Sequence, residues 1–218
     1  MLSYKFILVG ESGVGKSSLA SALNGEQISQ HHQVTIGVDY AAYLTSLHPG
    51  GPKIKIHLWD TAGQESFSSI IRSYFSTAVA AVLVFDLTSM HSFKRLDYWL
   101  TQLCTYLEPQ HIMLVGNKND REWDRQVDYE LAEKYAREHG LAGYLETSAL
   151  TGFMVPAVIN KLAQEVYNYY QPIFEANPEA QVRGIHHLAD TRQVNLAANR
   201  SSSAARLCEW LSRALGRG

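Results

Sequence analysis

Gly10-Glu11-Ser12-Gly13-Val14-Gly15-Lys16-Ser17 follows an apolar, β-rich run over residues 4–9 and opens a helically spaced segment over residues 16–24. The eight residues fit G-x-x-x-x-G-K-[ST] in the strand–loop–helix setting that gives this pattern its physical meaning. The glycines allow a tight turn. Backbone N–H groups from Ser12, Gly13, Val14 and Gly15 to Ser18 can then face an anion at the positive end of the helix. Lys16 supplies a charge for β- and γ-phosphates, and the Ser17 hydroxyl an oxygen ligand for Mg²⁺. Taken alone, the same residues also read as a glycine-rich turn with an exposed lysine, so the rest of the chain has to decide.

Outward from this loop, apolar runs alternate with helical patterns, the mark of a mostly parallel sheet covered by helices. Residues 38–47 and 53–60 read as a hairpin joined by the turn-forming His48-Pro49-Gly50-Gly51-Pro52. Residues 79–86 and 112–117 read as buried strands, 92–106 and 129–139 as helices, 144–146 as a short strand and 155–170 as the closing helix. Pro172 and Pro178 then break the pattern. The expected fold is α/β: an open, mostly parallel six-stranded sheet with helices on both faces.

Three more strings fall at the ends of these strands. Asp60-Thr61-Ala62-Gly63-Gln64 puts an acid where it can hold Mg²⁺, a glycine whose N–H can approach a γ-phosphate, and an amide that can orient an attacking water. Asn117-Lys118-Asn119-Asp120 ends another strand. The Asp120 carboxylate can accept from the ring N–H and exocyclic amine of guanine, a donor pair that adenine lacks, and Lys118 can lay its alkyl stem along the base. Thr147-Ser148-Ala149 ends the next, with the Ala149 N–H placed for the guanine carbonyl. Each string alone could be an ordinary turn; four in order are not a coincidence. An ATP-using P-loop kinase or ATPase is disfavoured by the second and third.

In these residues the chain resembles a small GTPase of the Ras superfamily, closest to the Rab branch, over about residues 3–170. GESGVGKS, TIGVDY from Thr35, WDTAGQE from Trp59, NKND and ETSA from Glu146 carry the likeness. The resemblance implies GTP/GDP and Mg²⁺ as ligands, with slow hydrolysis aided by an activating protein. It implies that Thr35 ligates Mg²⁺ beside Ser17 and Asp60 and touches the γ-phosphate. Segments near 28–40 and 62–76 are then the two switches. Effectors, an exchange factor and a GTPase-activating protein read them together with the aromatic triad Tyr40, Trp59 and Tyr74, in a role in intracellular membrane traffic. A scaffold or transport-complex subunit that binds GTP without cycling is the alternative. Ile28 stands where relatives place an aromatic against guanine, and Leu150 where they place a lysine. Both changes point to weaker nucleotide affinity than usual.

The 218 residues carry a net charge of −2, but unevenly. From Arg183 onward six arginines face two acids, a net of +4, which leaves −6 on residues 1–182. An acidic body is not the basic face of a nucleic-acid binder. No apolar run reaches the ~18–20 residues of a membrane span. Cys104 and Cys208 are far apart, without the spacing of a zinc site or disulfide framework, and paired histidines at 31–32 and 186–187 lack acidic or cysteine partners. No secretory signal or C-terminal prenylation pattern is expected. The expected organisation is a GTP-binding domain over 1–171, a polar linker over 172–203 and an amphipathic helix over 204–216. That helix would set Leu207, Cys208, Trp210, Leu211 and Leu215 against Arg206, Glu209 and Arg213. The expected location is the cytoplasm, docked on a partner or peripheral at an intracellular membrane.

Overall fold

The computed structural model describes residues 2–26, 38–48, 50–61, 75 and 77–176. Six strands form one sheet: β1 (Leu2–Val9), β2 (Val38–Ser46), β3 (Lys53–Thr61), β4 (Ala80–Asp86), β5 (Ile112–Asn117) and β6 (Gly143–Glu146). Their order is β2-β3-β1-β4-β5-β6, with β2 antiparallel to β3 and the other pairs parallel. This is the expected open, mostly parallel α/β sheet.

The central strands are apolar on both faces because both faces are covered. Tyr4, Phe6 and Leu8 of β1 join one core with α1 (Lys16–Leu23) and α5 (Val155–Ala176). Ile7 and Val9 join the other with α3 (Leu96–Cys104) and α4 (Tyr129–Glu138). Every residue of β4 and β5 is buried. β1 is the point at which strand order reverses, since its partners β3 and β4 lie on opposite sides. Such a switch point opens a crevice at the carboxyl ends of the strands.

The helices differ from the sequence expectation in several places. The helix expected over 92–106 is two pieces, α2 (Met90–Lys94) and α3, meeting at Arg95. The Ser89 side chain caps α2 by accepting from Ser92 N–H at 3.3 Å, so the helix starts earlier than its apolar spacing suggests. A 3₁₀ segment over Asn119–Asp124, interrupted by non-helical backbone at Arg121, follows β5 and is too short to leave a periodic trace. α5 runs past Pro172 to Ala176. The proline falls in the last turns, where few intrahelical bonds remain to be lost, and Gln171 and Glu175 hydrogen-bond across that end at 2.9 Å.

Candidate nucleotide-binding site

Glycine is required at two points of the loop between β1 and α1. A Cβ on Gly10 (φ +149°) would overlap the Val84 carbonyl of β4, and one on Gly15 (φ +98°) would strike the Asn117 side-chain amide. The loop therefore lies flush against the ends of β4 and β5. Gly15, which has no side chain to cap the first turn of α1, is its N-cap in a left-handed conformation. Its first backbone N–H groups face the loop as an anion-binding end. Ser12 and Gly13 are exposed, Val14 is buried and Ser18 is half-buried. Lys16 is buried, its Nζ donating to the Gly10 and Glu11 carbonyls at 2.9 and 2.8 Å. Burial lowers its pKa to about 8, and the charges of Asp60 and Glu11 oppose that shift. An arriving phosphate would favour the ammonium form.

The Ser17 hydroxyl donates to Asp60 Oδ2, joining the start of α1 to the end of β3. Asp60 is 1% exposed. A hydroxyl and a buried carboxylate side by side are hard oxygen donors, the chemistry that Mg²⁺ takes, so these two residues fit the ion. Thr35, Gly63, Gln64 and Tyr74, together with Ile28 and the C-terminal segment, lie outside the described residues.

Across the rim, Asn117 fastens three loops. Its Nδ2 donates to the Val14 carbonyl at 2.9 Å, and its Oδ1 accepts from Ala149 N–H at 3.1 Å and Thr147 Oγ1 at 3.2 Å. Asp120 accepts from Ser148 Oγ at 2.5 Å. Lys118 takes a left-handed φ of 70° and reaches Asp86 Oδ2 at 2.7 Å. Asp86 in turn accepts from the Thr88 N–H and hydroxyl. The Ala149 N–H, expected to meet a base carbonyl, is thus already shared with Asn117. Leu150 is 60% exposed beside it.

Glu146, quoted above only as part of a family string, organises this side of the site. It accepts from the two terminal Arg125 guanidinium nitrogens at 2.8 Å, from the Tyr144 hydroxyl at 2.8 Å and from Asn119 Nδ2 at 2.8 Å. Burial pushes its carboxyl up, but the hydrogen bonds from Arg125, Tyr144 and Asn119 outweigh it and hold the group below the usual 4.5. A carboxylate with a lowered folded-state pKa contributes stability above the usual value and loses it as pH falls through the lowered one. Glu146→Gln is expected to cost about 2 kcal/mol at neutral pH, because it removes one of the two carboxylates, Glu146 and Glu122, that pair with Arg125. It should also weaken the acid-side fall in stability. Chemical denaturation at neutral and acid pH checks this; equal losses in both proteins on acidification would contradict it.

The described candidate residues from four separated strings, with Asp60 standing for the second, therefore meet along one rim. A family model described as Ras family matches residues 5–168. The chain belongs to the Ras family. The matched span covers all six strands of this Ras-family domain from Lys5 onward and most of α5. Members of the family are small GTPases that bind GTP and GDP, which agrees with the oxygen-donor pair at Ser17 and Asp60 and the acid at Asp120. In this Ras-family chain the β2–β3 hairpin carries Tyr40 and Trp59 edge to face, ring centroids 5.6 Å apart. Tyr40 is 47% exposed, and its hydroxyl is hydrogen-bonded to His57 Nδ1 at 2.5 Å.

Proposed function

We propose that this Ras-family protein is a Rab-like switch that binds GTP or GDP with Mg²⁺, hydrolyses GTP slowly, and recruits effectors in its GTP form during intracellular membrane traffic. The observation that carries the reading is the Asn117–Val14 hydrogen bond. It ties the loop that recognises the base to the loop that cradles the phosphates, so one nucleotide can span both. In this reading Asp120 and Ser148 hold the guanine edge, Lys118 and Leu150 cover its faces, and Lys16 with the loop N–H groups holds the phosphates. Ser17, Asp60 and Thr35 hold Mg²⁺, which when bound neutralises charge on the phosphate oxygens. Gly63 N–H approaches the γ-phosphate and Gln64 orients the attacking water.

Exchange of γ-phosphate contacts at Thr35 and Gly63 then switches the surface that partners read, including Tyr40, Trp59 and Tyr74. An arginine supplied by an activating protein would raise the slow intrinsic rate. The basic, amphipathic C-terminal segment is proposed to dock the cytoplasmic protein on a partner, on an anionic membrane surface or back on its own domain. Single-turnover hydrolysis tests the assignment. Gln64→Leu should leave GTP affinity within about twofold while slowing hydrolysis by about tenfold or more, since leucine cannot orient water. Equal rates for the two proteins would remove Gln64 from the mechanism.

A further inference from the structure

Glu11 is the one acidic residue of the phosphate loop Gly10–Ser17. Its position is awkward, because a carboxylate there repels the phosphates that the loop is built to hold. Its backbone carbonyl accepts from Lys16 Nζ, so it also helps set the lysine in place. Its side chain is turned outward and tied to α3 and the residue before it. A single oxygen, Oε1, accepts from Arg95 Nε at 3.1 Å and from Trp99 Nε1 at 3.0 Å. The Glu11 and Arg95 side chains are only 20% and 31% exposed, and Trp99 is 4% exposed. The Arg95 guanidinium also lies over the Tyr98 ring, 4.5 Å from its centroid. Arg95 is where α2 and α3 meet, so the kink in this helix places its charge against the loop.

We propose that Glu11 and Arg95 form a charge-compensated strut that positions the phosphate loop and sets its preference between nucleoside triphosphate and diphosphate. The inference rests on the guanine-nucleotide reading above. Glu11 is a positioning residue: it steadies the carbonyl on which Lys16 rests. Arg95 cancels the charge that this anchoring brings to the loop. GTP carries about one more negative charge than GDP. An uncompensated Glu11 therefore penalises GTP more than GDP, and an uncompensated Arg95 does the reverse.

The experiment uses the full chain with Mg²⁺ and measures GTP and GDP affinities by competition against a fluorescent guanine nucleotide. Arg95→Gln is expected to lower the GTP-to-GDP affinity ratio by roughly five- to tenfold at low salt, as a charge within several ångströms in a partly screened site implies. Glu11→Gln is expected to raise the ratio, and the double variant to restore it to the wild-type value. Arg95→Lys should keep most of the wild-type ratio. A merely structural link between loop and helix would weaken both nucleotides alike, with no opposite shifts and no restoration in the double variant. That result, or unchanged ratios throughout, overturns the proposal. If Arg95→Gln does not fold, the sign of the Glu11→Gln shift decides alone. Failure of the wild-type chain to bind GDP would overturn the guanine-nucleotide reading and this inference with it. Normal wild-type binding with unshifted ratios would overturn the strut alone.

Discussion

Asp120→Asn is expected to weaken GTP binding by about a hundredfold or more and to create affinity for xanthosine triphosphate. Two hydrogen bonds from guanine to a charged acceptor contribute about 1.5–3 kcal/mol each, and every 1.4 kcal/mol is about tenfold in affinity. The replacement amide keeps one acceptor and gains a donor, which suits the carbonyl that xanthine carries in place of guanine's amine. The exposed Asp120 carboxylate is already oriented through Oδ1 by the Ser148 hydroxyl. The variant should therefore fold normally and change only its choice of base. Competition binding with GTP, ATP and xanthosine triphosphate measures the exchange. GTP affinity retained within about twofold, where the lost bonds predict far more, would show that the base sits elsewhere.

Asn117→Ala should be more damaging, because the residue is both a buried fastener and part of the site. It is 1% exposed and makes three hydrogen bonds that join its own loop to the phosphate loop and to the segment 147–149. Alanine leaves the Val14 carbonyl, the Thr147 hydroxyl and the Ala149 N–H without this partner, a loss of about 2–4 kcal/mol. The base and phosphate loops would no longer be joined. Nucleotide affinity is then expected to fall by about a hundredfold or more, the equivalent of about 2.7 kcal/mol or greater. Denaturant unfolding and GDP titration separate the two effects. A variant that lost stability but bound GDP as tightly as wild type would mean that the Asn117–Val14 bond does not organise the site.

The strands and the four strings at their ends could be read from the chain because they are local. An apolar run in β1, β4 or β5 is buried on both sides whatever lies beyond it. What the sequence concealed is the pairing between strings. Asn117 reaches Val14 across 103 positions, and Glu11 reaches Arg95 across 84. Neither contact has a spacing rule, since each depends on β1 lying between β3 and β4. Glu146 and Arg125 were similarly hidden: a charged pair 21 residues apart reads as two solvated side chains until β6 is placed beside β5. The break at Arg95 was hidden by apolar spacing that carries through it, from Phe93 to Leu96, Trp99 and Leu100. The proline at 172 misled in the opposite direction, because a helix can absorb one lost N–H near its end.

The most direct test of the central claim is the nucleotide preference of the purified full chain, measured with GDP, GTP, ADP and ATP in the presence and absence of Mg²⁺. GDP and GTP are expected to compete for one site, and adenine nucleotides to fail to displace them. Chelation of Mg²⁺ should speed nucleotide release, as expected where Ser17 and Asp60 supply the oxygen ligands. Competition by ATP equal to that by GTP, or nucleotide release indifferent to Mg²⁺, would contradict that claim.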